Sequence, residues 1–240
     1  MATILVTGGT GTLGRPTVEH LRAAGHEVRV LSRTTRPGLI TGDLNTGRGI
    51  DSAVDGVDTI VHLATGLGRR DVQQTRNLLQ ATPSTTQVVV MSIVGIDRIP
   101  LPYYRSKLEV ERLVAESGTS YTILRATQFH DLLDRIFSVQ RFLPILLAPA
   151  ITLQPIAVED VAVRLTELVA QPVNGRAPDI GGPDRLQVIE LARAWAAARG
   201  SRRPVVPLRV PGKTFRAYAS GAALVDGPSF GRITFEEHVG

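Results

Sequence analysis

Residues 3–7, Thr-Ile-Leu-Val-Thr, run without a spacer into Gly8-Gly9-Thr10-Gly11-Thr12-Leu13-Gly14, and a stretch of helical character, 13–24, opens across the last of these glycines. Few folds accept that order of strand, glycine turn and helix. A first glycine tolerates a positive φ at the turn, and a second lets the backbone approach an anionic group. A third lets the helix pack closely on the sheet. The start of the helix adds N–H groups and a partial positive charge. The arrangement is that of a pyrophosphate cradle at the first βα turn of a parallel sheet, with a purely structural turn as the bland alternative. No Gly-Lys-Ser/Thr closes the motif, so a P-loop is excluded.

The rest of the first half supports a sheet of that kind. Short β-branched runs at 27–31, 39–41, 59–63, 87–92 and 121–125 alternate with helical stretches at 71–81 and 104–117. Unbroken apolar triplets such as Val88-Val89-Val90 suit strands covered on both faces. The second half is less regular: helices are expected at 159–170 and 187–199, and strands at 177–180 and 204–208, followed by Pro/Gly-rich connections. The fold class is α/β, a doubly wound parallel sheet with a small C-terminal lobe facing a substrate. No Ser/Gly linker and no internal repeat divides the chain, so residues 1–240 are expected to form one domain. Residues 1–125 would be mainly dinucleotide-binding and 126–240 mainly a substrate lobe.

Composition narrows the partners. There is no cysteine, which excludes disulfides and thiolate metal sites, and no metal is expected. The net charge of +5 invites a nucleic-acid reading, but the arginines are dispersed and aromatics make up only 5% of the chain. A solvated basic surface is the simpler account. Residues 142–158 form the longest uncharged stretch, broken by Pro144, Pro149 and Pro155 and carrying Gln154. They read as a loop-rich pocket wall rather than a membrane span. Without a secretory signal pattern, the expectation is a cytoplasmic monomer or homodimer acting on a small molecule, with no membrane or nucleic-acid partner.

The spacing Thr7-Gly8-x-x-Gly11-x-x-Gly14 resembles the motif of the short-chain dehydrogenase/reductase superfamily, and more narrowly its atypical, NmrA-like NAD(P)H-binding branch. Further landmarks appear in order: Gly42-Asp43-Leu44, His62-Leu63-Ala64, Thr75-Arg76-Asn77-Leu78-Leu79, Ile123-Leu124-Arg125-Ala126-Thr127 and Pro155-Ile156-Ala157-Val158-Glu159-Asp160-Val161. The resemblance implies a Rossmann-like sheet. It also implies cofactor contacts from Gly8, Thr10, Gly11, Thr12, Leu13 and Gly14, from Asp43 and Leu44 near the adenine, and from Leu63, Ala64 and Thr65 after the fourth strand. Ala126 and Thr127 would lead toward the nicotinamide.

NAD-specific sites usually end the second strand on an acid that holds both ribose hydroxyls. Here that strand ends in Ser32-Arg33, with Arg36 close behind and no acid present. A guanidinium binds a 2′-phosphate in a charge-assisted fork, and Arg15 could add a second positive charge. NADP(H) is therefore favoured over NAD(H), with Arg33 as an ordinary surface arginine the alternative.

Tyr103 and Lys107 are four residues apart, on one face of an expected helix. A phenol ordinarily ionises near pH ~10, and a neighbouring cation favours its phenolate, which makes it a better proton donor and acceptor near neutrality. Of 27 basic residues only Lys107 and Lys213 are lysines, so a lysine here points to its own chemistry. The resemblance assigns Lys107 to the nicotinamide ribose and Ser92, at the end of the fifth strand, to orienting a substrate carbonyl. Gln128, Phe129 and His130 follow the sixth strand, where loops gather over a ligand crevice, and are the substrate candidates. His130 could equally be structural. Phe137, Phe142 and residues 143–147 could wall an apolar pocket or pack a core, and Trp195 reads as core. The expected activity is NADPH-dependent reduction of a carbonyl or quinone with Tyr103 as proton donor. A non-enzymatic NADP(H)-sensing regulator and a dehydratase or isomerase remain alternatives.

Overall fold

In a computed structural model, which describes residues 1–66 and 68–240, the apolar runs of the first half become strands of one sheet. The order is β1 (Thr3–Thr7), α1 (Gly14–Ala23), β2 (Glu27–Ser32), β3 (Ile40–Thr41), α2 (Ile50–Val54), β4 (Thr59–His62), α3 (Arg69–Ala81), β5 (Gln87–Ile93), α4 (Pro102–Ala115) and β6 (Tyr121–Ala126). The second half adds α5 (His130–Ser138), β7 (Leu146–Pro149), β8 (Thr152–Leu153), α6 (Val158–Ala170), β9 (Gly175–Arg176) and β10 (Leu186–Gln187). It ends with α7 (Val188–Ala198), β11 (Val205–Leu208), α8 (Lys213–Ala219) and α9 (Phe235–Val239).

The central sheet is parallel, with strand order β3-β2-β1-β4-β5-β6-β9, and is Rossmann-like as expected. The chain winds outward from β1 to β3 and then crosses to β4, so the order reverses between β1 and β4, where such sheets bind ligands. Leu5 in β1 pairs with Arg29 in β2 and Ile60 in β4. Ile4, Leu5 and Val6 are all fully buried, and since neighbouring strand residues point to opposite faces, both faces are covered. On one face Leu5 and Ile60 pack with Leu31, Leu44, Ile50, Val54 and Leu78, joining α2 and α3 to the sheet. Val88 and Val90 pack on Val110 and Val114 of α4.

The chain groups into two compact units. The first holds Met1–Ser92, Pro102–Arg125 and Val161–Pro178; the second holds Ile93–Leu101, Ala126–Asp160 and Asp179–Gly240. Residues 161–178 return to the first unit because β9 pairs with β6 at the sheet edge, Thr122 opposite Gly175. The strand expected at 177–180 therefore lies earlier, and Ile180 contributes only a single bridge to Ala126.

In the second unit β7 pairs in parallel with β11, and β8 pairs antiparallel with β10. Residues 142–158, expected to be a loop-rich wall, instead contribute β7, β8 and the start of α6. Pro149 is tolerated because β7 and β11 form a two-stranded sheet, in which each strand keeps an open edge. Trp195 is core, as expected: its indole N–H donates to Asp134 at 2.7 Å, and its ring lies 5.8 Å from that of fully buried Phe137. Phe142 is 81% exposed, so it walls nothing in this unit. Among the described residues no helix is long and apolar enough to cross a membrane.

Candidate active site

The glycine turn leaves β1 with Gly8 at φ +71°, a conformation L side chains rarely adopt. A Cβ on Gly8 would lie 2.7 Å from the Ala64 nitrogen, so the exit of β4 rests directly on the turn. A Cβ on Gly14 would meet the Gly8 carbonyl oxygen at 2.1 Å. Gly9, which lies between the motif glycines, is held almost as tightly, since its Cβ would reach Val30 Cγ1 at 2.8 Å. Gly11 differs: it is exposed, as are Thr10 and Thr12, and a Cβ there would touch only the Gly8 oxygen, at 3.2 Å. Packing thus fixes three glycines and leaves one facing outward. Buried Leu13 precedes α1 in helical conformation; the ten-residue helix has no side-chain cap and no acid in its first turn. Such a start suits an anion, so the residues present fit a pyrophosphate. Arg15 folds back over the turn, its Nε donating to the Thr10 carbonyl at 3.1 Å.

At the end of β2, Ser32 Oγ accepts the Thr34 N–H at 3.1 Å, and Arg33 is exposed. Asp43 forms a turn in which Oδ1 accepts the Asn45 backbone N–H at 2.9 Å and its side-chain Nδ2 at 3.0 Å. The backbone bond from Asn45, helped by the nearby charge of Arg33, holds the Asp43 carboxyl below its usual range. Leu44 is buried in the α2–α3 core. From α3, Gln74 donates to Asn45 Oδ1 at 3.0 Å and Asn77 to the Leu44 carbonyl at 2.8 Å, which fixes this turn to the sheet.

Tyr103 and Lys107 lie on α4 as expected, and α4 packs on α3. The Tyr103 hydroxyl is 3.4 Å from Thr65 Oγ1, which donates to the Asp71 carboxylate at 3.0 Å. With the Thr65 proton on Asp71, the phenol is the donor in the Tyr103–Thr65 contact. Asp71 is 1% exposed; it also accepts the Gly66 N–H at 2.6 Å and faces Lys107 Nζ at 3.5 Å. Behind this group His62 is buried, its Nδ1 2.7 Å from Thr7 Oγ1 and its Nε2 3.1 Å from Thr75 Oγ1. Thr75 gives its own proton to the Asp71 carbonyl at 2.8 Å, so His62 must carry its proton on Nε2 and accept from Thr7 at Nδ1. Burial, with the positive charge of Lys107 adding to it, pushes the imidazole down to about 3, and it is neutral near pH 7.

Ser92, expected to orient a substrate carbonyl, sits inside a buried network. It is 3% exposed and donates to Glu111 Oε1 at 2.5 Å. Arg125 grips the same carboxylate, with Nε at 2.8 Å and Nη2 at 2.7 Å. The hydroxyl belongs to a buried charge pair linking β5, α4 and β6. Sequence reasoning also missed Asp71, because an acid in a first helical turn after a glycine reads as ordinary end-of-helix chemistry.

In the second unit Ala126 is buried and Thr127 Oγ1 donates to the Gln154 carbonyl at 2.5 Å. Gln128 is 8% exposed, and neither atom of its amide has a hydrogen-bond partner among the described residues. Phe129 is half-buried. His130 is fully buried and edge-on to Phe235 at 5.5 Å and His238 at 5.1 Å; burial, foremost, lowers its pKa to about 4.

A family model described as NAD(P)H-binding matches residues 8–172. The photosystem II assembly factor Ycf39 of Cyanophora paradoxa is 30% identical over 145 residues, which is 52% of this chain and 45% of that protein. The chain spans less than half the length of the first curated relatives it matches, and only 24% of an uncharacterised protein of Mycobacterium tuberculosis that is 28% identical over 223 residues. Among solved structures, an NADPH-dependent quinone oxidoreductase from Escherichia coli, complexed with NADPH, superposes with a TM-score of 0.83 at 18% identity, covering 98% of each chain. A nucleoside-diphosphate-sugar epimerase from Staphylococcus aureus gives 0.82 at 18% identity, covering 99% of each. At these identities the two structures establish the fold alone.

Proposed function

Because this chain belongs to the NAD(P)H-binding family, in the atypical NmrA-like branch of the short-chain dehydrogenases/reductases, we propose that it is an NADPH-dependent reductase. Its substrate would be a carbonyl or quinone group on a small apolar or aromatic molecule. The observation that carries the reading is the Tyr103 phenol, donating to Thr65 at 3.4 Å from a helix face it shares with Lys107. Thr65 directly follows Ala64, whose backbone packs on Gly8, so the proton donor and the glycine turn are joined through one strand exit.

The dinucleotide, when bound, supplies the hydride that reduces the carbonyl carbon. Tyr103 gives its proton to the oxygen that gains charge, and Lys107 favours the phenolate left behind and supports the nicotinamide ribose. The turn from Gly8 to Gly14 and the start of α1 hold the pyrophosphate, Arg33 and Arg15 select the 2′-phosphate, and Asp43 and Leu44 shape the adenine side. In the second unit, the Gln128 amide offers one donor and one acceptor to a ligand, with Phe129 and His130 beside it in sequence. Ser92 is not in the catalytic set of this reading; it secures Glu111 and Arg125.

The test is NADPH oxidation against a panel of quinones, aldehydes and ketones, repeated with Tyr103→Phe. The variant should lose about 10²–10⁴-fold in kcat, the usual worth of a positioned acid. Full turnover in the variant would refute the mechanism. Tight NADPH binding without turnover would favour a sensor, and substrate conversion without net NADPH loss would favour an isomerase or dehydratase.

A further inference from the structure

We infer that Asp71 is a positioning residue for the proposed proton transfer: its buried carboxylate holds the Lys107 ammonium and the Thr65 hydroxyl around Tyr103 and moderates the cation's pull on the phenol. The inference rests on the reading of Tyr103 as proton donor.

An acid in the first turn of a helix is normally exposed, where the helix dipole favours it at little cost. Asp71 is instead 1% exposed and gathers donors from two segments: Gly66 N–H at 2.6 Å and Thr65 O–H at 3.0 Å from the exit of β4, and Lys107 at 3.5 Å from α4. Both segments also touch Tyr103, one through Thr65 and the other because Tyr103 and Lys107 share a helix face. The other charged groups near this face are accounted for. His62, reaching toward Lys107 from β4, is neutral; Glu111 on α4 is paired with Arg125 from β6; Glu109 is paired with Arg112 and Arg76 at the surface. Arg69 and Arg70, just before Asp71 on α3, are exposed. Among the described residues, Asp71 is the anion that faces Lys107.

Asp71→Asn keeps an acceptor for Thr65 and Gly66 but removes the negative charge. The local field on Tyr103 then becomes more positive, and the phenolate is favoured. The readout is the tyrosinate absorbance of the protein minus that of the matching Tyr103→Phe variant, titrated with pH in the absence of substrate. Asp71→Asn should lower the ionisation midpoint of Tyr103 by about one pH unit, the effect of one partly screened charge at this range. In a catalytically active enzyme the alkaline limb of kcat should move the same way. A folded variant with an unchanged or higher midpoint overturns the inference. If Asp71→Asn does not fold, Asp71→Asn combined with Lys107→Gln removes both charges. Recovery of the wild-type melting temperature then supports the pairing, and continued failure to fold overturns it. The titration needs no turnover, so an absence of NADPH oxidation on any substrate would refute the reductase reading and leave this result standing.

Discussion

Ser92→Ala separates a structural hydroxyl from a catalytic one. The substitution removes a 2.5 Å hydrogen bond to an ionised carboxylate and little else, because Glu111 keeps both bonds from Arg125. A bond to a charged acceptor contributes about 1.5–3 kcal/mol, and the residual void is no larger than one oxygen atom. For a chain of this size each kcal/mol corresponds to about 2–4 °C, so the melting temperature should fall by about 3–12 °C. Glu111→Gln should cost more, about 3–5 kcal/mol, since it removes the carboxylate charge that faces the Arg125 guanidinium, which is 6% exposed. The assay is thermal unfolding followed by circular dichroism, with kcat measured well below both transitions. The expected result is a lower melting temperature with kcat within a few-fold of wild type. An unchanged melting temperature with a loss of about 10²-fold or more in kcat would refute the reasoning and return Ser92 to the catalytic set.

Arg33→Ala should weaken NADPH binding by about tenfold or more and NADH binding little, the pattern of a lost charged contact to the 2′-phosphate; equal losses measured by fluorescence titration would remove Arg33 from cofactor selection. Gly14→Ala would drive a Cβ to 2.1 Å from the Gly8 oxygen, so NADPH affinity should fall at least about tenfold while far-ultraviolet dichroism is retained; an unchanged Kd would mean the turn has slack. Folded His62 titrates near 3 and His130 near 4, against 6.5 for an ordinary histidine, so the unfolded chain binds protons first as pH falls. Stability is complete above pH ~6.5 and should decline below it by up to about 1.4 kcal/mol per pH unit for each ring, ending near the folded values. Urea unfolding between pH 7 and 4 should show this slope, and His62→Gln should flatten it.

The first half of the fold was legible because its strands are unbroken apolar runs with glycine punctuation. β1, β4 and β5 lie within one residue of where the pattern placed them. The second unit was harder to read. Its β8 and β10 are two residues each, too short to show any periodicity, and its α9 is only five. The site divides in the same way. Tyr103 and Lys107 announce themselves by an i,i+4 spacing within one element. Asp71 and Thr65 meet them only across two chain segments, and no local pattern encodes that distance. Ser92 shows the converse: a strand-end serine has the right address, but its proton is settled by Glu111, nineteen residues away.

The bare start of α1 has a consequence for how long the protein survives. A serine or aspartate cap would add about 1 kcal/mol to that helix, and the sequence does without one. On the proposed function, the dinucleotide phosphates take the cap's place, so part of the helix's stability comes from outside the chain. Ligand present at a hundredfold over its Kd adds about 2.7 kcal/mol to the folded state. Margins of that size alter how often a chain opens to proteases. The steady-state amount of this protein would then rise and fall with the supply of its own cofactor.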